Sequence, residues 1–147
     1  MKKGIIALPT ILLVSGIVLE ISIALALISF FLLQSGAGVK FSLEALASAQ
    51  GGIDDAIIRI VRNKDLGGLT AYSYTLTMDN RHQANIVICK NFKIADNSCD
   101  INQQNPGKTD IISLGKVFGK NRRLEAFVNV NSATGEVKVE SIREISI

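Results

Sequence analysis

Thirty consecutive residues near the start of the chain, Gly4 to Leu33, contain a single charged side chain, that of Glu20. A helix that spans a bilayer needs about 20 mostly apolar residues. As a helix this run would be roughly 45 Å long at about 1.5 Å per residue, more than the hydrocarbon thickness of a membrane. A secretory signal peptide has a shorter apolar region with small residues before its cleavage site. The run is therefore expected to stay attached, as a membrane anchor or inside an assembly.

Positive charge is concentrated before the apolar run. Lys2 and Lys3 precede it, whereas the five residues that follow it, 34–38, carry no charge and are followed by a single lysine, Lys40. Basic residues next to a membrane span stay on the cytoplasmic side. We therefore expect a single-pass topology, with the N-terminus inside and residues 34–147 outside.

The part beyond the run is long enough for one small domain and is nearly neutral, with 14 Lys plus Arg against 12 Asp plus Glu after residue 33. The basic pI owes a good deal to the two lysines of the leader, so it is weak support for a nucleic-acid partner. The densest basic cluster comprises Lys120, Arg122 and Arg123. It is expected to be a solvated hairpin tip, and a contact with nucleic acid or another surface is the alternative. A base-stacking platform is not supported, because the tyrosines do not interleave with the cluster and the chain has no tryptophan.

The two cysteines, Cys89 and Cys99, lie in the half of the chain expected outside, where thiols tend to oxidise. A disulfide between them would close a short loop and stabilise the fold by roughly 2.5–3 kcal/mol on the chain-entropy model. The alternatives are two free thiols or a metal site. A four-ligand metal site is disfavoured because His82 is the only histidine. No cofactor is predicted.

A second helical region is expected after residues 34–38, whose two glycines predict a local kink or loss of helix. Apolar residues then recur at spacings of three and four and form one stripe: Leu46, Ala49, Ile53, Ile57 and Ile60. Gly51 and Gly52 are expected to interrupt this helix and to allow close approach of another backbone. Residues 34–66 are thus interpreted as an amphipathic continuation of the helix, which stops at the glycine pair 67–68.

From residue 67 onward the apolar period changes to two, which predicts a β domain over residues 67–147. The predicted strands are 72–78, 84–89, 110–118, 124–130 and a last strand from residue 137 with a bulge near Ser141. Residues 90–109 are polar and are predicted to form a loop pinned by Cys99. The predicted fold is α+β, with a long N-terminal hydrophobic helix packed on a four- to five-stranded antiparallel sheet.

Three local features accompany this order of elements. The start MKKG, residues 1–4, is a short basic leader that ends in glycine before a retained apolar run. Residues 45–58 are rich in alanine and contain two glycines followed, after one isoleucine, by two acids, and the ending SIREI, residues 141–145, closes the last strand. Together with the order of helix and sheet, these features resemble the type IV pilin and pseudopilin superfamily, minor pilins in particular.

The resemblance implies a processing site and a set of partners. A prepilin peptidase would recognise Lys2, Lys3, Gly4 and Ile5 and cut between the last two, which leaves Ile5 as the new N-terminus, with or without a methyl group. Residues 5–33 would then be the membrane-spanning or filament-core helix. The implied partners are other pilin subunits, the peptidase, the pilus assembly platform and the membrane. The implied location is the inner membrane and afterwards a cell-surface filament.

Pro9 and Glu20 are the residues of the run with an expected role in assembly. Proline costs about 3 kcal/mol in a helix interior but little in the first turn, so Pro9 favours a helix that begins near Ile5. Most pilins carry a glutamate a few residues after the cut, whereas this chain has Pro9 and Thr10 there. Glu20 costs about 2.5–3.5 kcal/mol on insertion scales and would face a lysine or an N-terminal amine of another subunit. The alternative is a protonated glutamate, or a run that sits shifted in the bilayer.

No sequence motif points to catalysis. The chain has no P-loop, GxGxxG or GxSxG motif, His82 is expected to face solvent, and Asp54 and Asp55 would point about 100° apart on a helix. We therefore expect a structural subunit that is not an enzyme. One alternative is a single-pass anchored protein whose outer domain binds a ligand or another protein. An anchored hydrolase is a further alternative, which no sequence feature supports.

Overall fold

The computed structural model describes residues 7–63, 65–68, 70–131 and 134–146. Within them one helix is followed by five strands: α1 (Ala7–Arg62), β1 (Tyr72–Thr77), β2 (Gln83–Ala95), β3 (Ser98–Val117), β4 (Lys120–Val130) and β5 (Val137–Ile145). The strands form one antiparallel sheet in the order β1-β2-β3-β4-β5. The predicted α+β class is therefore confirmed. The chain divides into two compact units, residues 1–39 and residues 40–147.

The first unit contains the N-terminal part of α1. Its large apolar side chains between Ile11 and Leu33 are 49–76% exposed. Residues 34–38 are helical, so the loss of helix that two glycines predicted there is not observed. The reason is cooperativity, because each glycine costs only about 1 kcal/mol and intact turns continue on both sides.

The second unit packs the remainder of α1 on one face of the sheet. A Cβ at Gly52 would collide with Oγ of Ser113, and a Cβ at Gly115 would collide with the carbonyl oxygen of Ala45. The close approach at Gly52 is to side chains of the sheet, those of Ser113, Ala84 and Ile86, whereas the contact with another backbone lies at Gly115. The predicted interruption at Gly51 and Gly52 is wrong, because the missing Cβ serves contact with the sheet and the helix runs through both residues.

The hydrophobic core lies between this face of α1 and the inner face of the sheet. Its buried members are aliphatic: Ala49, Ile53, Ala56, Ile60, Ala84, Ile86, Ile88, Ile111, Leu124, Ala126, Val128 and Val130. The predicted helical stripe is confirmed, with Leu46 and Ile57 partly buried at its margin. Full burial of a large aliphatic side chain stabilises by about 1.5–3 kcal/mol, so this contact is the main source of stability of the second unit.

Strands β2 and β3 extend far beyond the predicted strands and form a long hairpin that turns at Asp96 and Asn97. The prediction of a loop over residues 90–109 is therefore wrong. The ladder is interrupted by register shifts on both sides of Phe92, and Asn91 and Gly107 adopt φ of 66° and 77°. The polar residues that indicated a loop thus occupy bulges and a turn within the strands.

The bulge predicted near Ser141 is confirmed. Phe127 and Val128 are consecutive on β4, but they pair with Ser141 and Val139 on β5. Glu140 is therefore the extra residue of β5, and it shifts the alternation of the strand by one position.

Candidate functional site

The apolar segment, residues 9–33 of α1, is the first candidate for a functional surface. The helix from Pro9 is long and apolar enough to cross a membrane, with a mean hydropathy of 2.7 in its most apolar stretch. None of that stretch is buried against other described parts of the protein. A helix that is apolar on all sides requires hydrocarbon or neighbouring protein around it.

The hydroxyl groups of three serines in the apolar segment form hydrogen bonds within the helix itself. Each donates to a backbone carbonyl three or four residues earlier: Ser15 to Leu12 at 2.9 Å, Ser22 to Val18 at 2.7 Å and Ser29 to Leu25 at 2.9 Å. Such bonds remove the need for an outside acceptor. The segment therefore suits an environment without water, either lipid or a dry contact between helices.

The structure places the two predicted assembly residues on the apolar segment. The side chain of Glu20 is exposed and makes no hydrogen bond or ion pair within the described part of the chain. Pro9 lies two residues after the first described helical residue, Ala7, in a part of a helix where a missing N–H costs little. The predicted processing residues lie outside the described residues: Lys2, Lys3, Gly4 and Ile5.

The predicted disulfide is present in the second unit. Cys89 and Cys99 are bonded, with their Cα atoms 5.6 Å apart. Cys89 is fully buried and points to the outer face of the sheet, because its neighbour Ile88 points into the core. Cys99 lies in residues 90–109, which we call the hairpin extension. The disulfide therefore ties the hairpin extension to the outer face, opposite α1.

Asp110 provides a second link between the sheet and the hairpin extension. Its Oδ2 accepts a hydrogen bond from the backbone nitrogen of Ile94 at 2.9 Å. The residue is only 1% exposed, and its Oδ1 has no partner in the described part of the chain. Burial raises the pKa of Asp110 to about 6, and the charge of Glu125 adds to the rise. The hydrogen bond from Ile94 acts in the opposite direction and lowers the pKa. This carboxyl therefore changes charge near neutral pH.

A cleft of about 570 Å³ lies on the outer face of the sheet, next to the tip of the hairpin extension. Apolar side chains, among them Val87, Ile112 and Leu114, line it together with polar ones: Ser73, Thr75, Asn85, Asn97, Lys116 and Arg123. The two charges in this lining are both positive. Hydroxyl, amide and cationic groups beside an apolar floor suit a polar or anionic ligand.

The predicted basic cluster does not form one surface. Arg122 donates to Oγ of Ser42 and to Oε1 of Glu144, both at 2.7 Å, on the side of the sheet that faces α1. Arg123 lines the cleft on the outer face, since successive residues of a strand point to opposite faces. Lys120 remains at the exposed hairpin tip. The cluster is therefore divided between two faces.

His82 is half-buried between two carboxylates, whereas the sequence predicted a solvent-facing side chain. Its Nδ1 lies 2.8 Å from both carboxylate oxygens of Asp79, and its Nε2 lies 3.6 Å from Oε2 of Glu44. The backbone N–H of Arg81, the ring of His82 and the N–H of His82 lower the pKa of Asp79 to about 2. The ring thus joins the turn after β1 to α1, with a carboxylate on each side.

Asp55, Arg59 and Tyr74 join α1 to β1. The hydroxyl of Tyr74 donates to Oδ2 of Asp55 at 2.6 Å, and Nε of Arg59 donates to the same oxygen at 2.7 Å. Burial raises the pKa of Asp55, but these two bonds outweigh it and leave the pKa below its ordinary value. The guanidinium also lies 4.1 Å from the centroid of the Tyr74 ring. Asp54 is exposed, so the two adjacent acids do not converge on one site.

No protein family profile matches the chain, and no curated protein or solved structure shows significant similarity to it. The described residues contain no group of three or more His, Cys, Asp or Glu side chains that could hold a metal ion. The features that characterise the protein are an apolar helix able to cross a membrane, an antiparallel sheet and one disulfide. This architecture is consistent with the resemblance to pilins.

Proposed function

We propose that this chain is a structural subunit, a minor pilin, of a type IV pilus or a related secretion filament. The observation that carries the proposal is the apolar segment, whose large side chains are 49–76% exposed in a chain with a separate folded unit. A surface this apolar is stable only in hydrocarbon or against other apolar surfaces. A filament subunit uses both environments in turn, first the membrane and then the helical core of the filament.

Glu20 supplies the polar contact of this assembly. It has no partner within the described residues and lies on a segment that water does not reach in either environment. An unpaired acid there is costly, so a cation of a neighbouring subunit would stabilise the assembled state over the membrane-resident one. The amine at the N-terminus of a processed subunit, or a lysine, has the required charge.

The second unit is the part of the subunit that the filament displays. All the buried core residues belong to this unit, and its disulfide suits an oxidising exterior. In this arrangement the helix assembles, the sheet faces outward, and neither part performs catalysis.

The proposal is tested by replacing residues 9–33 with an unrelated spanning helix of equal length. We expect the variant to reach the membrane and to be missing from sheared filaments, because the sequence of the segment makes the subunit contacts. Incorporation of the variant at the wild-type level would overturn the proposal. Intact mass and N-terminal sequencing of the native protein give an independent check, with loss of residues 1–4 expected.

The outer cleft supports a second candidate function, that of a single-pass anchored protein with a ligand-binding domain. Its polar and cationic lining beside an apolar floor is the observation that favours this reading. The helix replacement distinguishes the two, because an anchor tolerates an unrelated span whereas a pilin does not. Retention of an uncut N-terminus together with a functional replacement helix would favour the anchor.

A further inference from the structure

We propose that one end of the second unit docks on anionic lipid headgroups while the chain resides in a membrane. The surface comprises Lys40, Phe41, Arg81, Phe118 and Lys120, and we call it the basic aromatic end. Three elements build it: the part of α1 that opens the second unit, the turn between β1 and β2, and the turn between β3 and β4. The proposal rests on the membrane-resident stage of the proposed function.

Two phenylalanine rings form the centre of the basic aromatic end. The ring centroids of Phe41 and Phe118 lie 4.8 Å apart, and the guanidinium of Arg81 lies 5.6 Å from the centroid of Phe118. Phe118 is 57% exposed and has a φ of 46°, which is rare for a bulky side chain. The turn therefore holds a large apolar ring in solvent at a conformational cost, a feature typical of contact surfaces.

Three cations, Lys40, Arg81 and Lys120, and two acids, Glu44 and Asp79, lie in the elements around these rings, which is a formal excess of one positive charge. The side chain of Lys40 is 73% exposed, and Lys120 is exposed with no ion pair among the residues that the structure describes. The nearby acids are engaged: Asp79 contacts His82 at 2.8 Å, and Glu44 lies 3.8 Å from Lys40 and 3.6 Å from His82. Cations beside exposed aromatic rings fit the interface of an anionic membrane, where rings lie at headgroup depth.

The chain itself keeps the basic aromatic end near the membrane. Phe41 follows Leu33, the last residue of the apolar run, by eight residues. Eight residues span about 28 Å when fully extended and about 12 Å as a helix, so the chain holds Phe41 and the ring that it contacts within about 28 Å of the end of the apolar run. This holds for any arrangement of the residues between them.

The test uses the full chain, which contains no tryptophan. Phe118→Trp places a single fluorophore on the basic aromatic end. Glu136→Trp places one in the turn between β4 and β5, which lies at the opposite end of β4. Leu25→Trp reports whether the apolar segment lies in the bilayer. Each variant is reconstituted in phosphatidylcholine vesicles with and without phosphatidylglycerol, with lipids that carry a quencher at the headgroup or in the acyl chain.

We expect acyl-chain quenching of Leu25→Trp, and headgroup quenching of Phe118→Trp that is at least twofold stronger with phosphatidylglycerol than without it. Glu136→Trp should show little headgroup quenching. Adding Lys120→Glu to Phe118→Trp should reduce its quenching to the phosphatidylcholine level. A retained disulfide and an unchanged circular dichroism spectrum would show that the variants fold.

The other outcomes separate the two proposals. Quenching of Leu25→Trp without quenching of Phe118→Trp would overturn the lipid contact and leave the membrane-resident stage intact. A lack of quenching at Leu25→Trp would overturn both. Headgroup quenching of Phe118→Trp that is the same with and without phosphatidylglycerol, and is unchanged by Lys120→Glu, would overturn the recognition of anionic lipid. An emission shift that depends on protein concentration and not on lipid would assign the surface to a protein partner instead.

Discussion

A Cβ placed on Gly115 would lie 2.6 Å from the backbone nitrogen of Ala49, so β3 and α1 meet there with no side chain between them. The same Cβ would collide with the carbonyl oxygen of Ala45. Backbone atoms cannot move aside as the end of a flexible side chain can, so glycine is required at this position for helix and sheet to approach. The contact fixes the position of α1 on the sheet more strictly than the aliphatic core does, because cores tolerate changes of shape.

Gly115→Ala is therefore expected to destabilise the second unit by about 3 kcal/mol, the upper end of the usual cost of overpacking. Urea unfolding followed by circular dichroism measures the change. Gly68→Ala is the matched control, because a Cβ at Gly68 has no neighbour within 4 Å. Equal midpoints for the two variants would contradict the close contact.

Replacement of both cysteines, Cys89→Ala with Cys99→Ala, should lower the free energy of unfolding by roughly 2.5–3 kcal/mol through the lost loop closure. Wild-type protein in reductant should approach the stability of this variant, whereas the variant itself should not respond to reductant. A variant as stable as oxidised wild type would show that the hairpin extension is held without the disulfide.

Asp110→Asn should raise stability at neutral pH. The pKa of Asp110 is raised to about 6 in the folded chain, so the folded state binds the proton more tightly than the unfolded state does. Stability therefore falls as the pH rises from about 4 to about 6 and stays lower above that. An uncharged amide avoids this loss and can still accept from Ile94, which gives a gain of about 1–3 kcal/mol at pH 7.5 and little change at pH 4.

Thermal unfolding across this pH range checks the expectation for Asp110→Asn. Asp54→Asn is the control, since Asp54 is exposed on α1. A gain in stability of the same size in both variants would show that the gain comes from the change in net charge and not from the loss of the buried carboxyl.

Tyr74 should ionise well above the range of an ordinary tyrosine. Burial raises its pKa, and the carboxylate of Asp55, which accepts from its hydroxyl, raises it further. The chain has two tyrosines, so Tyr72→Phe leaves Tyr74 as the only phenol for an absorbance titration. Addition of Asp55→Asn should lower the midpoint, and an unchanged midpoint would contradict the contact. Stability should fall as the pH rises above about 10, where only the unfolded phenol loses its proton readily.

Glu20→Gln and Glu20→Leu should both reduce incorporation into filaments, because each removes the charge that the proposed contact with a neighbouring subunit requires. Membrane levels of the two variants, measured by immunoblot, should equal or exceed those of wild type. If both enter sheared filaments at the wild-type level, Glu20 has no part in assembly.

The fold was predictable where side-chain periodicity and burial coincide. Tyr72 to Thr77 alternates cleanly, and the apolar stripe of α1 faces the sheet as its spacing predicts. The hairpin extension was not predictable in this way, because Asn91 and Gly107 supply positive φ inside strands and Asp96 and Asn97 supply it at the turn. Residues of this kind are the usual signal of a loop.

The candidate site was predictable only in part. The disulfide followed from two cysteines in the half that was expected outside the membrane, since the chain offers no other pair. The burial of Asp110 depends on the pairing of β3 with its neighbouring strands, which local sequence does not specify, whereas the division of Arg122 and Arg123 between two faces follows from the alternation along β4. Gly52 indicated a close approach, but its partner Ser113 lies 61 residues away.

The charges of β5 have a consequence for the proposed filament, in which copies of subunits would lie side by side. This strand lies at the border of the sheet, where unpaired backbone groups invite strands of other molecules. Its bulge at Glu140 interrupts the flat border, and its charged side chains are held by inner strands: Glu140 by Lys108, Arg143 by Glu125 and Glu144 by Arg122. The border therefore resists sheet-to-sheet aggregation, so that subunits brought close together in the proposed filament would remain separate at their surfaces.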